Sequence, residues 1–283
     1  MASYQLGLYE KAMPSDLTWK ERMEAARDAD FDYIELSIDE SDERLARLDW
    51  SKDTRKELLN LVLDTGVPFG SICLSGHRKY PLGSNDPSIC AQSLDIMRKS
   101  LELAADLGIR YIQLAGYDVY YEESSADTVR RFKDNLTKCA DMAARYGVLL
   151  GFETMETPFM DTVQKAMFYV DAISSPYLGV YPDLGNLNNA SLIYGVPVSD
   201  DLKTGAGYII AAHIKETKPG KYRDVPFKTG CVDFGTLIKT CWQLGVRRYV
   251  TELWYHSGDA WRDHIREAAL LAREILRTLD KEI

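Results

Sequence analysis

Three acidic side chains and one histidine in the second half of the sequence are the residues best suited to chemistry. They are Glu153, Asp183, His213 and Glu252, which are separated by 30, 30 and 39 residues, and each closes a short apolar run. If they meet at one point, their carboxylates repel one another unless a cation lies among them. An oxygen-rich set with a single nitrogen suits Mn²⁺, Mg²⁺, Co²⁺ or Zn²⁺ and lacks the thiolates of a structural zinc site. These residue types therefore predict one divalent metal.

The elements that would position these residues follow from the hydrophobic pattern. Amphipathic stretches, clearest over residues 126–146 and 88–107, alternate with eight short apolar runs that predict strands. This alternation predicts an α/β fold in which eight βα units close into a (β/α)8 TIM barrel. A doubly wound open sheet is the alternative, but its first strand is usually followed by a glycine-rich turn, and here that turn reads YEKAMP. The predicted strands are residues 4–9, 32–37, 69–74, 110–116, 148–153, 178–183, 209–213 and 248–252.

The predicted helix ends and the lack of linkers favour one barrel. Several predicted helices stop at a glycine suited to a left-handed cap: Gly66, Gly108, Gly147 and Gly245. No linker or low-complexity segment interrupts the sequence, so residues 1–283 are predicted to form a single domain. Residues 184–208 are the least regular, and we expect a long loop over the barrel mouth with a short helix. Chemistry in such barrels lies at the carboxyl ends of the strands, where all four candidate ligands fall.

Composition and charge exclude several functional classes. The 46% hydrophobic and 27% charged fractions are typical of a globular enzyme with a large core. The net charge of −9 and the lack of a basic stripe argue against nucleic acid and anionic membranes as partners. The five cysteines contain no C-x-x-C pair, and neither a signal sequence nor a membrane span is recognisable, so we expect a cytoplasmic protein. Four histidines are too few for a trinuclear zinc nuclease on a barrel.

Basic residues follow the predicted strands 1, 3 and 7. In a closed barrel strand 8 lies beside strand 1, so Lys11 comes near the loops after strands 7 and 8, where barrels commonly bind phosphate. In a chain of net charge −9, these basic residues suggest a small anionic substrate. Aromatic residues after strands 1, 4 and 8 could stack on a sugar or pack within loops, and both interpretations stay open. The basic residues are Lys11, Arg78, Lys79, Lys215, Lys218, Lys221, Arg223 and Lys228, and the aromatic ones are Tyr9, Tyr117, Tyr120, Tyr121, Trp254 and Tyr255.

Six strings in the sequence are long and specific: LGLYEKAMP (6–14), ICLSGHRKYPLGS (72–84), IQLAGYDVYY (112–121), YPDLGN (181–186), HIKETKPG (213–220) and VPFKTGCVDF (225–234). With these strings and Glu252, nearly the whole chain resembles the xylose-isomerase-like barrel superfamily of sugar epimerases and isomerases. Within it, the sequence is most similar to the L-ribulose-5-phosphate 3-epimerases, also called L-xylulose-5-phosphate 3-epimerases, of bacterial L-ascorbate and pentose catabolism.

The resemblance implies roles for individual residues. It makes Glu153, Asp183, His213 and Glu252 the ligands of one divalent metal and the two glutamates also the acid and base. Related epimerases of free ketohexoses have a second histidine where this sequence has Asn186, which favours the phosphopentulose branch. The residues expected to contact the substrate or its phosphate are Lys11, His77, Arg78, Asn186 and Arg223.

The expected reaction interconverts L-xylulose 5-phosphate and L-ribulose 5-phosphate through a metal-stabilised enediolate. Glu153 and Glu252 end strands 5 and 8, three apart in eight, which suits proton transfer on opposite faces of C3 better than a hydride shift. The alternatives are another metal-dependent sugar isomerase or dehydratase, or a non-catalytic sugar-phosphate-binding barrel. The expected partner is thus a small phosphorylated ketopentose, and a homodimer is compatible with the sequence.

Overall fold

Eight parallel strands form the centre of the molecule. The computed structural model describes residues 2–281. All eight predicted strands are present, and most bounds differ from the predicted ones by one or two residues. The strands are β1 (Gln5–Tyr9), β2 (Tyr33–Ile38), β3 (Phe69–Leu74), β4 (Tyr111–Ala115), β5 (Leu149–Glu153), β6 (Leu178–Tyr181), β7 (Ala212–Ile214) and β8 (Arg248–Thr251).

The sheet curls until its two edge strands meet. Its hydrogen-bonded order is β6-β5-β4-β3-β2-β1-β8-β7, and all pairs are parallel. Between β6 and β7, single bridges join Val180 to Ile209 and Asp183 to His213. The amide of His213 also donates to the carbonyl of Pro182 at 2.9 Å. The predicted (β/α)8 barrel is therefore confirmed, and its closing seam passes through two of the candidate metal ligands.

Helices pack around the outside of the sheet. The predicted helix over residues 126–146 is present with the same bounds, and its apolar face, including Phe132 and Leu136, is buried. Its last turn is capped by Gly147 at φ 62°, a backbone conformation that glycine adopts without strain. None of the helices within residues 2–281 is long and apolar enough to cross a membrane. The helices are α1 (Trp19–Asp28), α2 (Asp42–Leu45), α3 (Lys52–Thr65), α4 (Pro87–Leu107), α5 (Ala126–Tyr146), α6 (Val163–Ile173), α7 (Leu184–Tyr194), α8 (Val198–Thr204), α9 (Phe234–Gln243) and α10 (Trp261–Asp280), with 3₁₀ turns at Glu10–Ala12, Ala46–Asp49 and Gly76–Arg78.

The expectation of a long loop with one short helix over residues 184–208 is only partly right, because two helices, α7 and α8, occupy most of that segment. The apolar pattern was misleading, since α7 exposes Leu192 and Ile193 and buries polar residues such as Asn186. The helix is instead specified at its ends. The Asp183 side chain accepts the amide of Asn186 at 2.7 Å, and Gly195 ends the helix at φ 68°.

Apolar side chains fill two separate regions. The large core lies between the strands and the helices and includes Leu6, Leu8 and Ile34. A smaller cluster fills the inside of the barrel around the ring of Tyr33. That ring fits because Gly7 lacks a side chain, since a Cβ there would lie 2.3 Å from Tyr33 Cε2. At the other end of the barrel the strand ends leave space for polar side chains, and these form the site.

Candidate metal centre

The four candidate ligands come together at the carboxyl end of the barrel. Glu153 is the last residue of β5, Asp183 is the N-cap of α7, His213 is in β7, and Glu252 follows β8 directly. One ligand atom from each lies within 4.8 Å of all the others. All four side chains are buried. The barrel therefore places three carboxylates and one imidazole around one point, as their spacing predicts.

The imidazole nitrogen that faces this point has no hydrogen-bond partner. His213 Nδ1 lies 3.5 Å from Glu153 Oε1, 3.5 Å from Glu252 Oε2 and 4.0 Å from Asp183 Oδ2. It is buried and receives no hydrogen bond. Three carboxylates around one buried point are unfavourable without a positive charge between them. The donor set therefore fits one divalent cation, with oxygen as the main ligand type.

Three further polar side chains contact the ligands. Gln113 Nε2 donates to Glu153 Oε2, and Glu35 Oε2 lies 2.7 Å from His213 Nε2. The Lys215 ammonium is buried 2.8 Å from Asp183 Oδ2 and 3.4 Å from Glu252 Oε2. Glu35 and Gln113 were not among the residues predicted from the sequence, and Lys215 was predicted only as one of the basic residues of the rim. Both could have been identified from the sequence, because Glu35 and Gln113 are polar residues in strands that were expected to be buried.

Burial and the neighbouring charges set the acidities of the four ligands. Burial raises the pKa of Asp183 to about 8, although Lys215 opposes the shift. Burial and the nearby Glu252 raise the pKa of Glu153. For Glu252, burial is outweighed by Lys215 and His213, which bring its pKa down to about 2. Burial would lower the pKa of His213, but Glu35 and Glu252 raise it well above the usual value. The three carboxylates therefore differ in pKa, as expected for like charges close to one point.

A cleft opens above the ligand group. It is lined by both glutamates and by four of the residues predicted to contact substrate, namely Lys11, Arg78, Asn186 and Arg223. These residues come from the segments after β1, β3, β6 and β7, with Asn186 in the first turn of α7, so the fold brings together side chains that are far apart in sequence. Asn186 donates through Nδ2 to the Thr154 carbonyl at 2.7 Å, which leaves its buried Oδ1 without a partner.

The basic residues of the cleft are paired with acids. Lys11 contacts Asp39, and Arg78 Nη1 lies 3.8 Å from Glu40 Oε1. Arg223 Nη2 lies 3.3 Å from Glu156 Oε1. Such partly exposed pairs are weak, so an anion with more charge than one carboxylate can compete for the cations. The rim is therefore able to receive a phosphate group, at the cost of loosening these pairs.

An aromatic side chain forms one wall of the cleft. Trp254 packs edge-on against Tyr9, with ring centroids 6.2 Å apart. The guanidinium of Arg223 lies 5.8 Å from the centre of the Trp254 ring. The aromatic residues were expected either to stack on a sugar or to pack within loops. Trp254 is compatible with both, because it packs against Tyr9 and also lines the cleft.

His77 does not reach the cleft. Its ring is buried, and Nε2 lies 3.1 Å from the carbonyl oxygen of Ser93 in α4. Burial lowers the pKa of His77 to about 4, so the ring is neutral near pH 7. The structure therefore does not support the expected substrate contact. His77 instead links the turn after β3 to α4. Its position directly before the basic residue Arg78 had suggested a substrate contact.

Comparison with known proteins places the chain among sugar-metabolising barrels. A family model described as xylose isomerase-like TIM barrel matches residues 23–279. The L-ribulose-5-phosphate 3-epimerase UlaE of Escherichia coli O139:H28 (strain E24377A / ETEC) is 46% identical over 255 residues, covering 90% of this chain and 88% of that protein. The protein of the same name from Shigella sonnei (strain Ss046) matches with the same identity and coverage.

Solved structures share the fold at low sequence identity. A structure of L-ribulose 3-epimerase superposes with a TM-score of 0.78 and 19% identity, covering 100% of this chain and 97% of that chain. The D-psicose 3-epimerase from Clostridium cellulolyticum H10 with D-tagatose gives a TM-score of 0.80 and 16% identity, covering 96% and 99%. At this identity the two structures support the fold alone.

Proposed function

Because the chain belongs to the xylose isomerase-like TIM barrel family and is an isomerase of the epimerase kind, we propose that it interconverts L-xylulose 5-phosphate and L-ribulose 5-phosphate at C3. The observation that carries this proposal is the buried group in which Glu153 and Glu252 both face His213 Nδ1 at 3.5 Å. Two carboxylates at one centre suit a reaction that takes a proton from one face of a carbon and returns one to the other.

The two glutamates act as the acid and the base in this proposal. The C3 hydrogen of a 2-ketose is acidified by the neighbouring carbonyl. One glutamate removes this proton from one face of C3, and the other glutamate, in its protonated form, donates a proton to the opposite face; the two exchange roles in the reverse direction. Glu153 comes from β5 and Glu252 from the end of β8, so a sugar between them is approached from both sides. A divalent cation (Mn²⁺, Co²⁺, Zn²⁺ or Mg²⁺) would supply Lewis-acid stabilisation of the negative charge that develops on O2. Asp183 and His213 complete the ligand set without moving a proton.

The substrate would lie with its phosphate toward the basic rim. Lys11, Arg78 and Arg223 line the same cleft as the glutamates, so one small molecule can contact both. The unpartnered Oδ1 of Asn186 would accept a hydrogen bond from a sugar hydroxyl. The proposal includes a cytoplasmic location. It also includes a role in L-ascorbate and pentose breakdown, which the sequence resemblance implies.

Incubation with L-xylulose 5-phosphate in D₂O tests the function directly. An epimerase yields L-ribulose 5-phosphate with deuterium at C3, measured by NMR and mass spectrometry. Chelation should stop the reaction, and Mn²⁺ or Co²⁺ should restore it. Formation of an aldose would indicate an isomerase, loss of water would indicate a dehydratase, and binding without exchange would indicate a non-catalytic protein. Each of these three results would contradict the proposed activity.

A further inference from the structure

Glu35 lies deeper in the barrel than the four candidate ligands and contacts one of them. Its side chain is fully buried in β2, inside the barrel, where apolar residues normally pack. Glu35 Oε2 lies 2.7 Å from His213 Nε2. Burying a carboxylate costs free energy unless its oxygens accept hydrogen bonds or pair with a charge, so the partners of Glu35 indicate its role.

Two hydroxyl groups fix the orientation of this carboxylate. Ser71 Oγ on β3 donates to Glu35 Oε1 at 2.8 Å, and the Tyr181 hydroxyl on β6 donates to the same oxygen at 3.0 Å. Both hydroxyls use Oε1, so Oε2 is left for the imidazole. Strands from opposite sides of the barrel thus hold one carboxylate against one histidine nitrogen.

The same group also fixes the ring of His213. Tyr181 packs edge-on against the imidazole, with ring centroids 4.9 Å apart. The carboxylate of Glu35 accepts the proton on Nε2, and this contact selects the tautomer in which Nδ1 carries the lone pair. Nδ1 is the nitrogen that faces the three carboxylates and has no partner.

We propose that Glu35 is a positioning residue, which holds His213 in the tautomer and orientation needed to bind a divalent cation through Nδ1. Glu35 does not line the cleft, so it would act on the cation only through the imidazole. This inference rests on the metal-binding part of the proposed function. Its test reads metal affinity, so a protein that binds metal in this way and fails to epimerise would contradict the epimerase proposal alone.

Mn²⁺ binding to variants of Glu35 and His213 tests this role. Removing an outer partner of a metal-bound histidine weakens metal affinity by about 10- to 100-fold. Glu35→Gln should show this loss in the Mn²⁺ dissociation constant, measured by electron paramagnetic resonance of free Mn²⁺. The deciding measurement is a double-mutant cycle with His213→Ala. In that background Glu35→Gln should change the dissociation constant by less than about twofold, since the imidazole through which Glu35 acts is gone.

A matched control separates position from charge. Glu216 is also buried and lies three residues after His213, but its oxygens accept backbone amides of the β7 loop. Glu216→Gln should therefore leave the Mn²⁺ affinity within about twofold of the parent value. Equal weakening by Glu35→Gln and Glu216→Gln, or an equal effect of Glu35→Gln with and without His213, would overturn the proposal.

A second variant covers the case in which Glu35→Gln does not fold. Glu35→Asp keeps the negative charge but withdraws the carboxylate from the imidazole by one methylene. It should weaken Mn²⁺ binding at least tenfold, and this loss should vanish in the His213→Ala background. Parent-like Mn²⁺ affinity in Glu35→Asp would mean that the charge matters and the contact does not, which would overturn the assignment.

Discussion

The two glutamates at the centre of the site have different neighbours. Glu153 receives a hydrogen bond from the neutral amide of Gln113, whereas Glu252 lies 3.4 Å from the ammonium of Lys215. A neutral donor and a cation stabilise a carboxylate to different degrees. Two chemically alike residues can therefore carry out opposite halves of one proton transfer, as a two-base epimerase requires.

Replacing one glutamate at a time tests this division. Glu153→Gln and Glu252→Gln should each lower epimerisation in both directions by about 10²- to 10⁴-fold, because both faces of C3 are needed. The remaining glutamate should still exchange the C3 hydrogen of one epimer with D₂O. NMR should therefore show exchange into opposite epimers for the two variants, provided that metal analysis finds the metal retained.

Glu156→Gln is the matched control for these two variants. Glu156 also lines the cleft, but it pairs with Arg223 and lies outside the ligand group. This variant should exchange both epimers. If Glu153→Gln and Glu252→Gln exchange the same epimer, or if either one exchanges both, a single base acts and the assignment is wrong.

At the scale of elements, the loop after β7 places the basic side chain of Arg223 in the cleft. Glu216 accepts the backbone amides of Lys228 and Val232, both at 3.2 Å, and so ties the two ends of this loop together. The loop packs tightly, since a Cβ on Gly230 would lie 2.2 Å from Glu216 Oε1. Arg223 therefore extends from a tightly packed loop, which suits the phosphate contact proposed for it.

Arg223→Met should impair binding of the phosphorylated substrate. A charge-assisted hydrogen bond contributes about 1.5–3 kcal/mol, so kcat/KM should fall by about tenfold or more, mainly through KM. Lys11→Met should act in the same direction. Neither change should alter the KM of unphosphorylated L-ribulose, because that sugar lacks the group these residues bind. Steady-state kinetics with both sugars measures the difference.

Lys218→Met is the control for this measurement, since Lys218 is exposed on the same loop and does not line the cleft. Its kinetics should match the parent protein for both substrates. Unchanged kinetics in both Arg223→Met and Lys11→Met would move the phosphate to Arg78 and the backbone amides of residues 229–235.

The turn after β1 is fixed by a buried charge cluster. Glu10 is fully buried and pairs with Arg22 at 3.2 Å, with Arg47 at 2.7 Å and with Arg44. It also accepts the amide of Ser37 at 2.9 Å, which joins the ends of β1 and β2. The next residue along the chain is Lys11, so this cluster also determines where Lys11 enters the cleft.

Glu10→Gln should destabilise the protein by about 3–5 kcal/mol at pH 7, because it leaves buried arginines uncompensated. Burial raises the pKa of Glu10, but Arg47 and Arg44 outweigh it and bring the pKa below the usual value. The stabilisation is therefore present above the unfolded-state pKa and is lost as the pH falls through the lowered folded-state pKa. Urea unfolding should show the difference between parent and variant shrinking below about pH 4.3.

Glu102→Gln provides the comparison for a surface charge. Glu102 pairs with Arg98 at 2.6 Å, but both side chains are more than a third exposed. Its loss should cost at most about 1 kcal/mol, with little pH dependence. Equal destabilisation by Glu10→Gln and Glu102→Gln would show that the buried cluster is not needed for the fold.

The sequence predicted the features that depend on local patterns and missed those that depend on distant contacts. Strand ends are marked locally, so the apolar runs alone suffice to place Glu153, Asp183, His213 and Glu252 on one rim. The contact of Glu35 with His213 joins residues 178 positions apart, and no local pattern carries it. Likewise, α7 is specified by its caps and by burial against the barrel, whereas its exposed apolar residues suggested no regular helix.

At the scale of the whole molecule, the candidate metal centre lies on the seam that closes the barrel. β6 and β7 are joined by isolated bridges, one of which pairs Asp183 with His213. The seam is completed by three amide hydrogen bonds, each 2.9 Å long: Val180 to Tyr208, Ile210 to Val180, and His213 to Pro182. Strands with fewer mutual hydrogen bonds open more readily than the rest of a sheet. A cation held by Asp183 and His213 would therefore join the two edges of the sheet.

Metal removal should accordingly loosen the seam more than the rest of the barrel. A ligand present at 100 times its dissociation constant stabilises the form that binds it by about 2.7 kcal/mol, which corresponds to roughly hundredfold slower opening-dependent exchange. Hydrogen exchange read by NMR should thus show the amides of Val180, Ile210 and His213 exchanging up to about a hundred times faster after chelation. The amides between β2 and β3, on the opposite side of the barrel, should change much less. In His213→Ala, adding Mn²⁺ should slow exchange at Val180 and Ile210 much less than in the parent protein, because one of the two ligands that join the seam is missing. A uniform change over all eight strands would show that the cation stabilises the barrel as a whole and does not hold the seam.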